Sequence, residues 1–515
     1  MKIKNILKIF IVSGMLANTT TSCSDWLQVD LEDSILESTL FESNDGYLAA
    51  LNGVYTRMNE QYASNLTMGR IDAMAKLYNI GTNHSYRPFY TYSFDDIEFE
   101  NFSSSLWTNL YSQIANLNTL LEYCDLEEST LKSNYYPYVK GEALALRAMF
   151  HFDLLRIYGP IYSEETANTI CIPYQATTSK DIQPLLKASD VIEKIIKDLK
   201  DASKLLENDK IRTNGVMNGA SEDPNENTDF RYRQYRMNYY AVQGLLARAY
   251  LWKGDKASAY ECATAVIEEN NEKQVFTWTP KASIQGTNPD LIFSTEVMFA
   301  LYNQSRVNLY DQLFNTTANY SSILTFAGET MTEGDMESKI NHFYTDLDDL
   351  RRTEMWSAEE VKTTDYNTGA ESSYKVLCFS KYKKISTNET RRYMIPLLRM
   401  SEIYLIAAEC TDNLEEAIGY INSIRTHRNC VDLSLTDSKA EVLSYIDAEF
   451  AREMIGEGQL YFYYKRLAKT SVLGGATEDY EKPYSWSEPP IYTNIQLQEY
   501  VWPLPNVEEE RRGNN

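Results

Sequence analysis

The sequence predicts a mostly α-helical fold, in which a scaffold of helices carries a long irregular, loop-rich part. Three observations support this fold class: apolar residues recur at helical spacing, one helix–turn–helix pattern occurs twice, and long polar stretches separate the periodic segments. The chain has 515 residues, of which 43% are hydrophobic. That content excludes a disordered chain and is sufficient for a large core.

The N-terminal residues have the pattern of a bacterial signal peptide. Three lysines lie within residues 1–8, and a short apolar run follows from Ile9 to Ala17, which is too short to span a bilayer. Small polar residues then precede Cys23, as at a lipoprotein cleavage site. We predict that Cys23 is lipidated and attaches the protein to a membrane. The alternative is ordinary secretion with an incidental cysteine.

Four apolar stripes predict the clearest helices. They lie at 143–157, 242–252, 398–407 and 450–464. Gly159-Pro160 ends the first stripe, and Gly254 ends the second. Weaker patterns predict further helices near 45–60, 104–122, 187–207, 256–269 and 413–426. Long polar loops are predicted near 79–103, 160–185, 211–230, 277–330, 360–392 and 470–498.

Two segments resemble each other as pairs of helices joined by a short turn. One pair covers 241–263 and the other covers 401–421. Small residues inside both pairs allow the helices to pack closely, as in tetratricopeptide repeats. Because the copies are far apart in the chain, we expect a scattered helical-repeat scaffold and not a regular solenoid.

The composition argues against several classes of function. There are 73 acidic and 49 basic residues, a formal net charge of -24, which disfavours binding to nucleic-acid phosphates or anionic lipid through protein charge. The sequence contains no zinc-protease motif, no phosphate-binding Walker loop and no serine-hydrolase elbow. We expect no enzymatic activity, although a carboxylate pair of the glycosidase type stays open.

Some polar residues have both a ligand-binding and a structural interpretation. Asp223, Asn225, Asn227 and Asp229 alternate as in a calcium loop, but Thr228 replaces the turn glycine and Gln234 replaces the bidentate glutamate. We therefore favour a solvated loop and no cofactor, with a structural calcium ion as the alternative. We interpret His151 as a scaffold residue. We interpret the six cysteines after Cys23 as buried free thiols.

The fourth stripe is crowded with charge and interrupted by two glycines. Its charged residues are Arg452, Glu453, Glu457, Lys465 and Arg466. They could bind a ligand, but salt bridges that fix this segment to the scaffold are the favoured interpretation. Gly456 and Gly458 each cost about 1 kcal/mol relative to alanine inside a helix, so we expect a tight contact or a helix break there. The apolar spacing places Tyr461–Tyr464 in the core.

Seven segments, taken in order, resemble the SusD/RagB family of outer-membrane nutrient-binding lipoproteins. They are Cys23–Leu27, Ala49–Tyr55, Trp107–Asn116, Gly141–Gly159, Ile395–Glu409, Glu449–Arg466 and Trp502–Pro505. The resemblance implies a SusD-like fold with tetratricopeptide-like helices. It divides the chain into a signal peptide at 1–22, an N-terminal helical region at 23–270 and a C-terminal region at 271–515. The last two form one intertwined unit.

The resemblance also implies a function and a partner. A lipid anchor would hold the protein on the outward face of the outer membrane, and the acidic residues after Cys23 resemble an export signal of Bacteroidetes lipoproteins. The protein would cover a SusC-like TonB-dependent barrel, capture an oligosaccharide and pass it on for import, without catalysis. The alternative is the same role with another cargo, such as a peptide.

Aromatic rings stack on sugar faces while polar groups bind the hydroxyls, and the family places its ligand loops before the Trp107 helix and in the irregular part. The first loop gives the candidates Tyr78, Asn83, His84, Tyr86, Arg87 and Tyr90. The second gives Tyr302, Asn303, Arg306, Tyr310 and Tyr320. The alternative is that these tyrosines only pack the loops onto the scaffold.

Overall fold

The fold is built from helices, with short strand pairs in the loop-rich part. The computed structural model describes residues 39–80, 83–315, 323–326, 340–364, 368–473 and 492–513. The long helices are α1 (Asn44–Tyr62), α2 (Ile97–Cys124), α3 (Tyr136–Tyr158), α4 (Ala188–Leu205), α5 (Tyr239–Lys253), α6 (Lys256–Lys273), α7 (Met400–Cys410), α8 (Leu414–His427) and α9 (Lys439–Met454). The mostly α-helical fold class is confirmed.

Shorter helical segments connect these elements. One-turn and two-turn helices cover Arg70–Met74, Arg87–Tyr90, Ile211–Asn214, Lys281–Ile284, Arg306–Leu313, Leu350–Met355, Leu460–Arg466 and Asn506–Gly513, and a π-helical turn covers Ala63–Thr67. Turns of 3₁₀ helix cover Thr228–Phe230, Arg233–Tyr235, Ser294–Glu296, Thr390–Tyr393 and Leu497–Tyr500.

The strands form four antiparallel pairs in the described part of the chain. They are β1 (Ile170–Ile172) with β2 (Leu186–Lys187), β3 (Val297–Tyr302) with β6 (Met394–Arg399), β4 (Trp356–Thr364) with β5 (Glu371–Phe379), and β7 (Ser471–Leu473) with β8 (Tyr492–Asn494). In the β3–β6 pair, Tyr302 lies opposite Met394. This register brings the end of β3 next to the 3₁₀ turn that precedes β6.

The two predicted helix pairs are present, and they are neighbours in space. The pairs are α5 with α6 and α7 with α8, and α6 packs against α7 although residues 274–399 separate them in the chain. Helices α2, α3, α4 and α5 also pack in succession. The repeats are therefore scattered in the sequence but join one continuous row of helices from α2 to α8.

Two of the predicted stripes differ from the structure at their ends. Leu398 belongs to strand β6, and helix α7 begins only at Met400, because the extended chain at Pro396 pairs with β3. The fourth stripe is divided into α9 and the Leu460–Arg466 helix. Gly458 has a φ of +70°, and a Cβ there would lie 2.1 Å from the carbonyl oxygen of Leu66. Both the expected break and the expected tight contact are present.

The salt-bridge interpretation of the fourth stripe is confirmed for its charged residues other than Lys465. The carboxylate of Glu453 lies 2.8 Å from nitrogen atoms of Arg351, Arg399 and Arg428. All four side chains are buried. Arg399 also binds Glu457 at 2.8 Å. Because these arginines come from three separate parts of the chain, the cluster, which we call the Glu453 cluster, ties α9 to the loop-rich part.

The other charged residues of this stripe also serve the scaffold. Arg466 binds Glu409 of α7 at 2.6 Å, and Arg452 lies 3.4 Å from Glu449. Lys465 instead donates to the carbonyl oxygens of Ile157 and Gly159, at 3.1 and 2.8 Å. The Lys465 contacts connect the Leu460–Arg466 helix to the end of α3, and the Arg466 ion pair connects it to α7.

His151 and the cysteines are scaffold residues, as expected. The His151 Nε2 atom accepts from the Gln175 N–H at 3.0 Å, so its Nδ1–H donates to the Arg147 carbonyl at 2.9 Å. Burial lowers the pKa of His151 to about 3, and the ring is therefore neutral. Cys124, Cys171, Cys262, Cys378, Cys410 and Cys430 are free thiols.

Candidate functional site

The first predicted loop turns most of its aromatic rings inward. Tyr78 is completely buried, and its hydroxyl donates to Asp72 Oδ2 at 2.7 Å. Its ring packs against Phe314 and Phe326. Tyr78 therefore has no surface for a ligand in this conformation, and the packing alternative is the correct one for this residue.

His84 and Tyr86 hold the loop in place. The His84 Nδ1 atom accepts from the Tyr86 N–H at 2.9 Å, so its Nε2–H donates to the Ile323 carbonyl at 3.1 Å. The guanidinium of Arg70 lies 5.3 Å from the centre of the Tyr86 ring. Both His84 and Tyr86 are buried, and burial raises the pKa of the Tyr86 phenol.

The remaining first-loop candidates differ in how far they are exposed to solvent. Arg87 is half-buried and donates to the Ile80 carbonyl at 3.0 Å. Tyr90 is buried, with the ammonium of Lys76 4.3 Å from its ring centre. Asn83 is exposed. In this loop, Asn83 and Arg87 are therefore the candidates whose side chains reach the surface.

The second predicted region places three candidates beneath the surface. Asn303 is buried; its N–H donates to the Tyr393 carbonyl at 2.7 Å and its Oδ1 accepts from the Ser305 N–H at 2.8 Å. Arg306 is buried and donates to backbone carbonyls. Burial raises the pKa of Tyr310 to about 12. Tyr320 lies outside the described residues.

Tyr302 is the exposed aromatic candidate of this region. Tyr302 is 38% exposed, against 5% for Tyr310. The Tyr302 ring contacts Tyr235 at 5.4 Å and Tyr393 at 5.1 Å between centroids, at interplanar angles of 88° and 66°. We call these three residues the tyrosine cluster. It presents edge-to-face aromatic surface at the end of strand β3.

Polar groups surround the tyrosine cluster. The guanidinium of Arg392 lies 4.4 Å from the Tyr393 ring centre, and its Nη2 donates to the Tyr393 hydroxyl. Asn59 of α1 donates to the Tyr302 carbonyl. A ring with adjacent amide and guanidinium donors can bind the apolar face of a sugar together with its hydroxyls.

The sequence reasoning did not select Tyr235 or Tyr393. Tyr235 belongs to a 3₁₀ turn just before α5, and Tyr393 belongs to the turn that leads into β6. Tyr393 reaches Tyr302 because β3 pairs with β6, and Tyr235 reaches it because its 3₁₀ turn packs against β3. The abundance of tyrosine was a signal for aromatic surface, but it did not identify these two positions.

The two predicted loops contact each other through residues 323–326. The Asn79 N–H donates to the Thr325 carbonyl at 2.7 Å, and His84 binds the Ile323 carbonyl. The Tyr310 ring packs near Phe314, which in turn contacts Tyr78. The structure thus brings parts of the two loops into contact beneath the surface, through residues 323–326 and Phe314.

The calcium-like loop uses its side chains for its own hydrogen bonds. Asp223 accepts from the Asn225 N–H at 2.9 Å, and Asn227 accepts from the Asp229 N–H at 3.0 Å. Gln234 is buried and donates to carbonyls of 294 and 297. No group of three or more histidine, cysteine, aspartate or glutamate residues in the described ranges is arranged to hold a metal ion.

Two family models match the chain. Residues 25–216 match the family described as "Starch-binding associating with outer membrane", and residues 303–514 match the family described as "SusD family". The protein belongs to the SusD family. The family consists of outer-membrane-associated binding proteins and not of enzymes. No curated protein matches the chain.

Solved structures share this SusD fold over nearly their whole length. A SusD superfamily protein from Bacteroides thetaiotaomicron is 21% identical, with a TM-score of 0.65 over 92% of this chain and 98% of that one. A putative sugar binding protein from Bacteroides vulgatus is 22% identical, with a TM-score of 0.65 over 91% and 96%. A SusD-like carbohydrate binding protein from the same species is 19% identical, with a TM-score of 0.65 over 92% and 97%.

None of the helices within the described ranges combines the length and apolar character needed to cross a bilayer. Cys23, the predicted lipidation site, lies outside the described residues.

Proposed function

We propose that this SusD-family protein binds an oligosaccharide at the cell surface and delivers it to a SusC-like TonB-dependent barrel for import. The observation that carries the proposal is the tyrosine cluster, in which the exposed Tyr302 is held by two further tyrosines. Rigid aromatic surface beside polar donors is the usual construction of a sugar site. Two of the similar solved structures are described as sugar or carbohydrate binding proteins.

The supporting residues explain why Tyr302 is suited to this role. Its carbonyl is held by Asn59 from α1, and its ring is held by Tyr235 and Tyr393 from other parts of the chain. A ring fixed in this way loses little conformational entropy when a ligand binds. Asn83 and Arg87 of the first loop are proposed as further contacts, because they are the first-loop candidates whose side chains reach the surface.

Calorimetry of the purified protein against polysaccharides and peptide digests tests the proposal. We expect saturable binding of a glycan, weakened about tenfold or more by Tyr302→Ala, since stacking and area burial on one ring contribute on the order of 1–3 kcal/mol. Tyr136→Ala is the matched control, because Tyr136 is a half-buried tyrosine at the start of α3, outside both predicted loops. Binding of peptides without glycans would contradict the sugar assignment.

Attachment and partner are tested in membranes. If Cys23 carries the anchor, Cys23→Ala releases the protein from the outer membrane, and protease added to intact cells degrades the anchored form. If the protein covers a barrel, the two are recovered together after mild detergent extraction. Recovery of the anchored protein without any barrel would contradict the delivery role.

A further inference from the structure

The turn that supports the tyrosine cluster begins with a second exposed tyrosine. Tyr232 is 41% exposed, slightly more than Tyr302 at 38%. It directly precedes the 3₁₀ turn Arg233–Tyr235, and the Tyr235 N–H donates to the Tyr232 carbonyl at 2.9 Å. No aromatic ring or cation of the described residues packs on the Tyr232 ring. Its face is therefore open to a ligand.

The backbone of Tyr232 has a conformation that tyrosine rarely adopts. Its φ is +57° and its ψ is 44°, in the left-handed region that favours glycine and asparagine. The other described aromatic residues with positive φ are Tyr92 and Phe293, and both are buried. Burial of their rings stabilises the fold and can offset the strain, whereas the exposed ring of Tyr232 contributes little in this way. Strain that packing does not offset is typical of functional positions.

Hydrogen bonds and ion pairs hold the Tyr232 backbone in place. Its N–H donates to the Met217 carbonyl at 3.1 Å, and the Arg233 N–H donates to the Val216 carbonyl at 3.0 Å. The buried guanidinium of Arg233 also lies 2.7 Å from Asp209. A side chain on a support of this kind loses less conformational entropy when a ligand binds than one on a mobile loop does.

Tyr232 and Tyr302 belong to one continuous support. The 3₁₀ turn packs on β3, and the centroids of the Tyr235 and Tyr302 rings lie 5.4 Å apart. A 3₁₀ helix rises about 2 Å per residue, so the backbone of Tyr232 begins only about 6 Å from that of Tyr235. The two exposed tyrosines therefore lie within the length of one oligosaccharide of several units.

We propose, building on the proposed function, that Tyr232 is a second stacking ring and that the ligand is an extended oligosaccharide bound by both Tyr232 and Tyr302. A short glycan contacts Tyr302 alone. A longer one also covers Tyr232, and this second contact adds affinity because it is formed within a ligand that is already bound. The site then selects glycans by their length.

Oligosaccharide ladders test the length requirement by calorimetry. They are prepared from starch, xylan, mannan and polygalacturonate, and each runs from the disaccharide to the octasaccharide, with the parent polysaccharide as its longest member. In the ladder that binds, we expect affinity to rise with length and then to level off once both rings are covered.

Three variants separate the two rings. Tyr232→Asn removes one ring and keeps a residue that adopts the left-handed backbone readily, so its Tm should not fall. We expect it to weaken the longest members about tenfold, the loss of roughly one stacking contact, and to leave the disaccharide unchanged. Tyr232→Phe retains the ring and should bind every member as the native protein does. Tyr302→Ala should weaken every length.

The outcomes distinguish this inference from the proposed function. An affinity that does not depend on length, or that Tyr232→Asn leaves unchanged at every length, overturns the second ring while the glycan-binding function stands. A Tyr232→Asn loss that is equal for the disaccharide and the longest member also overturns it, because Tyr232 would then act only by positioning the Tyr302 site. Failure of every ladder overturns both.

Discussion

Buried arginines in two regions of the protein differ in how their charge is balanced. In the Glu453 cluster, Arg351, Arg399 and Arg428 each lie 2.8 Å from one carboxylate. Arg306 is equally buried, but the contacts of its Nη1 are two backbone carbonyls and its Nε has no partner. The buried arginines of the Glu453 cluster are thus held by ion pairs, whereas Arg306 is held by backbone carbonyls without an ion pair to a described residue.

The first loop and the tyrosine cluster also differ, in whether the protein's own cations already contact the aromatic rings. In the first loop, Arg70 and Lys76 already occupy the neighbourhood of the Tyr86 and Tyr90 rings. In the tyrosine cluster, Tyr302 is 38% exposed. A tyrosine-rich loop is therefore not by itself a binding surface. Its rings can contact a ligand only where the protein's own side chains do not already cover them.

Disrupting the Glu453 cluster should lower the free energy of unfolding more than the other substitutions do. Glu453→Gln removes the charge shared by three buried arginines, so we expect the free energy of unfolding to fall by about 3–5 kcal/mol, measured by urea denaturation. Glu60→Gln, in an exposed pair with Arg57 on α1, is the control and should change it by less than about 1 kcal/mol. Equal losses in both variants would show that the cluster does not hold the scaffold.

His151 allows a pH-dependent test of a buried group. Its ring is buried, and both of its nitrogen atoms form their hydrogen bonds when the ring is neutral. Its pKa is about 3 in the folded protein and about 6.5 when unfolded, so only the unfolded chain binds the proton between these values. Unfolding free energy should therefore fall by about 1.4 kcal/mol for each pH unit below 6.5. The slope of stability against pH should decrease by that amount in His151→Gln; an unchanged slope would contradict a neutral buried ring.

Arg306→Gln should lower the free energy of unfolding less than Glu453→Gln does. Arg306→Gln leaves two carbonyl acceptors to be satisfied by a shorter side chain but removes a buried charge without a counter-ion. We expect a loss of about 1–2 kcal/mol in unfolding free energy. A loss as large as that of Glu453→Gln in the same urea titration would show that the backbone contacts of Arg306 stabilise the fold as much as the ion pairs of the Glu453 cluster do.

The calcium-like loop should give the smallest effect, because its polar side chains are already used by the loop itself. We expect the same Tm with calcium and with a chelator, since a ligand stabilises only the state it binds. A rise of several degrees with calcium would reveal a site, and Asp223→Asn should then abolish the rise.

Much of the scaffold could be predicted from the sequence, because helical periodicity is a local property. The stripe from Val242 to Trp252 and its end at Gly254 correspond to helix α5. Strand β6 was missed at Leu398, since its extended conformation depends on pairing with β3, which is almost a hundred residues away in the sequence. Local patterns contain no information about such a partner.

The candidate site was predictable only in part for the same reason. Tyr302 was selected from its loop and is exposed, but Tyr393 joins it through the β3–β6 pairing and Tyr235 through the packing of its 3₁₀ turn on β3. Tyr78 was selected with equal reason and is buried. The composition of a loop shows which side chains are present, but not which of them face the solvent.

The contact between α6 and α7 has a consequence for how the polypeptide acquires its structure. During synthesis, α6 is complete long before α7 exists, because residues 274–399 must be made in between. The face of α6 that packs on α7 is thus without its native partner over that interval. Contacts of such long sequence separation slow folding, so the N-terminal half should reach its final, protease-resistant form only after residue 410 has been added. Nascent chains that stop at residue 300 should be digested readily, and chains that extend well past Arg466 should resist.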